Sequence, residues 1–561
     1  MSLLVDLFGY LSIVVHGLVI VAQSMAVGGT LFLVLLARPF AARLTRPVAA
    51  LGAVQVIDGG EIARRAARIA GWSALALALC EALTVAMQGA VVADQIGLGI
   101  GDVLGANFAV AGLVKMAAAL LLAACLFARR PPGTAALLGL CAVIFAAAVM
   151  TTHATARLDD RGLLMAATLL HLLGAALWIG GIPCFVMALA QVRDDGDAVR
   201  LVGARFSRMS MAGVGCILVS AAVFSVLYIG SVQGLYGTAY GVMAGAKAAM
   251  FAALLLLGLG NFLVVERLRR DKRTPALRLR RFAEVEIGIG FSLFFAAASL
   301  TSVPPAVDLT QDRVTLAEIA ARNAPHWPRL ESPDHDVLAL PALQARLDAE
   351  AAREHTAAAP AFVPGSGELP ARNAADIAWS EYNHHWAGLF VLLIGALALL
   401  NRAGVGWARH WPLAFLGLAV FLFLRSDPEV WPLGEEGFFS SLRDVEVLQH
   451  RVFVILTVAF ALFEWGVRTG RIRDRRAALV FPLLTAVGGA LLLTHSHAIA
   501  NVKEQLLIEL THTPLALAGI AAGWARWLEI RADGRVARVA GWVWPVCFML
   551  IGVILLWYRE A

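Results

Sequence analysis

Along most of its length the chain alternates between long apolar runs and short polar interruptions. Runs of about 17 to 25 apolar residues suffice to cross the hydrocarbon of a bilayer. Such runs are centred near residues 20, 78, 118, 142, 175, 220, 252, 293, 394, 418, 458, 486, 520 and 549. A backbone in lipid has to satisfy its own hydrogen bonds, so the pattern predicts an all-α, polytopic transmembrane helix bundle of about fourteen spans. The first run, MSLLVDLFGYLSIVVHGLVIVAQ, has no basic leader, carries Asp6 and exceeds a secretory core in length, so it is expected to be a span rather than a cleaved signal.

One long polar stretch interrupts this rhythm. Residues 304–383 open with SVPPAVDL and contain LPALQARLDAEAAREH between Pro-rich and Gly-rich segments. The expected organisation is an eight-span domain (1–303), an insertion (304–383) and a six-span histidine-rich domain (384–561).

Composition agrees with the pattern: 60% of the 561 residues are apolar and 15% charged, and the mean hydropathy is +0.75, values foreign to a water-soluble domain of this length. The net charge of +6 does not indicate nucleic acid. Its basic residues collect in alternate loops, ARPFAARLTRP, FARRPPG, VERLRRDKRTPALRLRRF, RTGRIRDRR and RWLEIRADGRVAR, whereas DQIGLGIGD, TTHATARLDDRG and PEVWPLGEEG are neutral or acidic. By the positive-inside rule both termini and the 304–383 insertion lie outside. The six cysteines fall inside spans without a CxxC pair, which speaks for apolar fillers rather than a disulfide frame or a zinc knuckle.

The histidines are asymmetric. Of thirteen, those at 16, 153, 171, 326, 335, 355, 384, 385, 450, 495, 497 and 512 map to the outer half or outer loops, and only His410 maps to the inner side. His153 ends the fourth span, and His171 lies roughly 12 Å down the fifth at about 1.5 Å per residue. An imidazole buried without a partner costs on the order of 1 to 3 kcal/mol. His171 is therefore expected to face a polar layer with His16, Glu81, Lys115 and Lys247, which fall at similar depth. Lysine is scarce, four residues in all (115, 247, 272, 503), yet two of the four are inside spans. Intramembrane charges face the bundle interior and pair with something, either as a structural ion pair such as Glu81 with Lys115 or as part of a pathway.

A second cluster belongs to the last six spans: His384 and His385 in SEYNHHWAGLF, His450 in LQHRVFV, and His495, His497 and His512 in LLLTHSHAIANVKEQLLIELTHTPLAL. Thr513 and Pro514 read as a cap and first helical residue, which sets His512 just ahead of its helix and across a hairpin from His495 and His497. Imidazoles suit Cu, Zn, Ni and Fe, with Glu381 placed i,i+4 to His385 as a further ligand or acceptor. His326, His335 and His355 are too far apart in register to make one site. Neither HEXXH nor a Ser-His-Asp order is found, so hydrolysis lacks support. Trp178 is expected at the membrane interface, ahead of a Gly180–Gly181 pair that permits close helix approach. AVGG (26–29) and WIGG (178–181) read as traces of an internal repeat, as do the Lys115 and Lys247 segments.

The run TLLHLLGAALWIGG (168–181), together with THATA around His153, YGVMAGAKAAM around Lys247 and EIGIGFSLFFAAASLTSVPPA opening at Glu286, resembles the CopD family of copper-resistance membrane proteins. The likeness covers about 150–310 well and 1–150 more loosely. THSHA with ELTHTPLALAGIAAG is similar to a diverged histidine hairpin without the WIGG. The resemblance implies copper handling at the bacterial inner membrane, with the family histidines falling on His153 and His171; a separate reading is a scaffold that docks a periplasmic copper chaperone through the 304–383 insertion. It implies movement of copper across that membrane, and the first reading of the residues is a copper permease in which outer histidines capture the ion and a file through His171, Lys247 and Lys115 carries it inward. A lysine ammonium repels a cation, so those lysines would be ion-paired, neutral or serving another ligand. The alternative is a membrane cytochrome whose haem b is clasped by imidazoles from His385, His450, His497 and His512.

Overall fold

The computed structural model describes residues 2–50, 53–96, 99–129, 133–271, 276–310, 313–333, 349, 374–427, 430–434, 436–494 and 502–560. His335, His355, His495 and His497 lie outside the described residues. Twelve helices are long and apolar enough to cross a membrane, and two shorter apolar helices accompany them. Each predicted apolar run is therefore helical. Apart from one antiparallel hairpin, Arg46–Ala50 with Ala53–Ile57, and an isolated bridge between Val430 and Glu436, the described residues form helices and loops.

The chain divides into two compact units. Among the described residues, unit 1 comprises those up to 313 with 493–494, and unit 2 comprises those of 314–492 and 502–560. Unit 1 contains α1 (Phe8–Leu44), α2 (Gly59–Asp94), α3 (Asn107–Phe127), α4 (Thr134–Met150), α5 (Arg161–Val192), α6 (Gly196–Ile229), α7 (Ala239–Arg270) and α8 (Leu277–Leu300). In unit 2 the helices are α9 (Ile377–Arg402), α10 (Gly406–Arg425), α11 (Val447–Arg468), α12 (Ala477–Leu492), α13 (Leu506–Arg531) and α14 (Gly534–Leu556).

Helix α1 is the hub of unit 1, packed against α2, α5 and α8. Its partner α5 is not continuous. The α-helical segment Arg161–Leu177 gives way to a 3-10 turn at Ile179–Gly181 and resumes as Ile182–Val192. Pro183 explains the break, because its ring would clash with the carbonyl four residues back, at Ile179, and it has no N–H to give. At the break the two glycine dipeptides meet. A Cβ on Gly180 would fall 1.9 Å from the Ser24 carbonyl oxygen, and one on Gly28 would fall 2.3 Å from the Ala176 carbonyl oxygen. AVGG and WIGG are thus the two sides of one backbone crossing.

Helices α2 and α3 are held by a buried ion pair, Lys115 Nζ to Glu81 Oε1 at 2.5 Å. In unit 2 an aromatic core of Trp411, Phe481, Trp544 and Phe548 ties α12 and α14 to the 3-10 turn that opens α10. Helix α9 runs against α14, and α13 packs between α12 and α14.

One helix start departs from expectation. The helix bearing His512 begins at Val502 and runs through Pro514 to Arg531, so His512 lies inside a helix and Thr513 is not its cap. The Thr513 hydroxyl donates instead to Glu509 Oε2 on the preceding turn at 2.7 Å. Proline is tolerated inside membrane helices where neighbouring groups satisfy the carbonyl it strands.

Two stability outcomes follow from these contacts. Gly180→Ala is expected to lower the unfolding midpoint of the purified protein by the equivalent of about 1–3 kcal/mol, the usual range for overpacking. Gly245→Ala, where an added Cβ meets nothing within 4 Å, leaves the midpoint unchanged. Glu81→Gln strands a buried ammonium and is expected to cost about 3–5 kcal/mol. Pairing Glu81→Leu with Lys115→Met restores most of that loss, measured by the same thermal unfolding.

Candidate functional site

In unit 1 the polar side chains that sequence reasoning placed at one depth are drawn onto α5 and its neighbours. His171 Nδ1 lies 2.9 Å from Ser220 Oγ on α6. Ser220 donates its own hydroxyl proton to the Ile217 carbonyl at 2.9 Å, so its oxygen accepts from His171 Nδ1–H. That fixes the tautomer and leaves the lone pair on Nε2, the arrangement common to metal-binding imidazoles. The ring rests against Phe224, 5.6 Å between centroids, and Lys247 on α7 is near enough for its charge to act on it. Among the described residues no carboxylate pairs with Lys247.

At the end of the fourth span, His153 Nε2 donates to the Thr301 carbonyl at 2.6 Å, which turns its Nδ1 into the acceptor. Beside it, Arg157 pairs with Asp308 at 2.8 Å. His16 on α1 lies within reach of the charges of Lys115 and His153. The predicted layer therefore resolves into the Glu81–Lys115 pair, His16 within the influence of Lys115 and His153, and the His171–Ser220 pair with Lys247 alongside.

Seven residues further along α5, about 10 Å at the helical rise, a second polar node follows. Trp178 is 2% exposed, buried among the helices, and its indole Nε1 donates to Glu286 Oε2 on α8 at 3.3 Å. Asn261 Nδ2 on α7 donates to Glu286 Oε1 at 2.5 Å. Sequence reasoning recorded Glu286 only as a motif letter and overlooked Asn261. The signal was there: Asn261 is the one amide in the run LLLLGLGNFLVV, and Glu286 opens the apolar half of α8.

In unit 2, His384 on α9 and His512 on α13 come within 6.3 Å, centroid to centroid. Each donates Nδ1–H to a carbonyl of its own helix, His384 to Ser380 at 2.7 Å and His512 to Ile508 at 3.0 Å. Both therefore carry the lone pair on Nε2. Tyr558 completes the cluster, stacked on His384 at 3.9 Å, with its hydroxyl donating to Glu560 Oε2 at 2.7 Å.

His385 is differently employed. Its Nδ1 accepts from the Arg329 backbone N–H at 2.7 Å and its Nε2 donates to the Tyr558 carbonyl at 2.9 Å, so neither ring nitrogen is left for a metal or a haem iron. Glu381 likewise turns to Arg329, 3.3 Å away. His326 accepts from Arg559 Nε at 3.2 Å. Nearby, Arg322 holds the carbonyls of Arg559 and Glu560, and burial lowers its guanidinium below the usual range. His450 faces Asp427, Nδ1 to Oδ1 at 2.6 Å, a carboxylate–imidazole pair with Arg451 behind it. His410, which the charge pattern assigns to the inner side, accepts from Trp465 Nε1 at 2.8 Å. Among the described residues no group of three or more His, Cys, Asp or Glu side chains is arranged to hold a metal ion.

Comparison with known proteins bears on unit 1. Residues 200–300 match the family described as Copper resistance protein D. The matched segment holds Ser220, Lys247, Asn261 and Glu286, the four side chains that α6, α7 and α8 turn toward α5. The chain is also 31% identical over 160 residues to the copper transport protein CutJ of Bacillus subtilis (strain 168), a likeness that covers 28% of this chain and 28% of that protein's length. No solved structure matches the chain. Over residues 200–300 this multi-pass membrane protein is thus similar to the copper resistance protein D family, and it spans about 28% of the length of the curated relative it matches.

Proposed function

We propose that this chain carries copper across the bacterial inner membrane, with both termini and residues 304–383 on the extracytoplasmic side. The observation that supports the reading is the convergence on α5: the three helices covered by the family match each aim a polar side chain at the helix of His171 and Trp178. A sequence segment that defines a copper-resistance family thus builds the surroundings of His171.

In this reading copper is the cargo. His153 Nδ1, at the outer end, and His171 Nε2, deeper in the bundle, offer it successive imidazole lone pairs. Ser220 positions His171 by holding the opposite ring nitrogen. The charge on Lys247 then acts as a filter, because Coulomb repulsion scales with the charge of the ion and weighs twice as heavily on Cu(II) as on Cu(I). In unit 2 the His384–His512 pair is a second place where imidazoles converge, with a periplasmic copper chaperone as the expected donor of the ion. His450, oriented by Asp427, has the same chemistry. For haem b, held by His385, His450, His497 and His512, no observation speaks: His385 has both nitrogens committed to backbone groups, and His497 is outside the described residues.

Copper uptake by vesicles containing the full-length protein tests the reading. His171→Ala is expected to abolish most of the uptake and His410→Ala to leave it near wild type; equal effects of the two would contradict the assignment. Ser220→Ala is expected to weaken copper binding about 10-fold, at the lower end of what removal of an orienting partner costs. Lys247→Met should narrow the preference for Cu(I) over Cu(II) in paired titrations. An unchanged preference would remove Lys247 from the pathway.

A further inference from the structure

Glu286 is 3% exposed, in the span of α8 that passes the break in α5. Its two partners, Asn261 and Trp178, are both neutral. The elements packed against α8 are α1, α7 and α5. Their titratable groups are Tyr10, His16, Arg38 and Arg43 on α1, Tyr240, Lys247, Glu266, Arg267, Arg269 and Arg270 on α7, and Arg161, His171 and Cys184 on α5. On α8 itself Arg280 and Arg281 are taken by Glu284. Among the described residues, no charged group acts on the Glu286 carboxyl.

A carboxyl so placed can hold a proton if its O–H finds an acceptor. Asn261 has one. Its Oδ1 is buried without a hydrogen-bond partner, and the residue is 9% exposed. A half-turn of the amide exchanges Oδ1 with Nδ2, groups nearly equal in size and opposite in hydrogen-bonding sense. With Nδ2 toward Glu286 the amide suits the ionised carboxylate. With Oδ1 toward it the amide accepts from the carboxylic acid, and a separation of 2.5 Å is normal for an O–H···O bond. Trp178 Nε1, which can only donate, serves Oε2 in both states.

We propose that Glu286 is a proton-exchange site, with the amide of Asn261 as its two-way partner. On uptake, a proton from water forms an O–H bond at Oε1 and Asn261 Oδ1 accepts it. On release, that bond breaks, the electron pair stays on the carboxylate, Asn261 turns Nδ2 inward and the proton leaves on water. In the ionised state the bond from Trp178 is charge-assisted and stronger. Trp178 immediately precedes the 3-10 turn that crosses α1 at Gly28, so the proton is registered at the break in α5. The exchange site stands without the copper reading; within that reading it supplies a second cation whose movement can accompany copper.

The test is infrared difference spectroscopy on the full-length protein in lipid vesicles, cycled between acid and alkaline buffer. The expected result is a protonated-carboxyl stretch gained in acid and lost in alkali, absent from Glu286→Gln, and displaced in Glu286→Asp and in Asn261→Leu. The Asp variant keeps a titratable carboxyl and guards against misreading a folding defect in the Gln variant. No titrating band in the wild type, or a band unchanged in Glu286→Gln, overturns the proposal. Copper uptake measured on the same vesicles separates the two readings. A Glu286-dependent band without copper uptake contradicts the copper permease alone, and uptake without such a band contradicts the proton site alone.

Discussion

Inside a bundle of apolar helices a polar side chain has no water to fall back on, and it bonds to another side chain, to a helix carbonyl, or not at all. In unit 1 this constraint selects the partners of α5. His171 takes the serine of α6, Trp178 takes the glutamate of α8, and that glutamate takes the asparagine of α7. The backbone crossing of α1 and α5 makes the arrangement possible. Without side chains at Gly28 and Gly180 the two helices approach to backbone contact, and Pro183 breaks α5 at the same level. A sequence feature that lowers helix stability in isolation therefore lies where the polar groups gather.

The same rule orders the imidazoles of unit 2. A histidine that gives Nδ1–H to a carbonyl one turn back on its own helix has settled its tautomer before any ligand arrives. His384 and His512 both do so, and His450 achieves it through Asp427. His385, between two backbone groups from separate segments, serves instead to hold residues 329 and 558 against α9. His385 thus differs from His384, His450 and His512 in having both ring nitrogens on backbone groups.

Much of the fold was legible in the sequence because lipid imposes a length on each apolar run, and every run that met it is helical. The Glu81–Lys115 pair was legible too, since two opposite charges at one depth have few alternatives. Other features were not. That AVGG and WIGG touch each other was not legible, because sequence shows likeness but not contact. Thr513–Pro514 looked like a helix start because that signature comes from proteins in water, whereas here the helix begins at Val502 and continues past the proline. The Asn261–Glu286 contact joins residues 25 positions apart on different helices, and no periodicity reports such a pair. His495 and His497, which the sequence grouped with His512, lie outside the described residues.

The central claim is that the lone pair of His171 faces a path that copper enters. Chemical modification of histidine in the wild-type protein, followed by peptide mass mapping with and without copper, tests it without altering the chain. Modification of His171 in the copper-free protein and its protection by Cu(I), with His410 indifferent to the metal, is the result this account predicts. The same extent of modification at His171 in both conditions, including none, would contradict it.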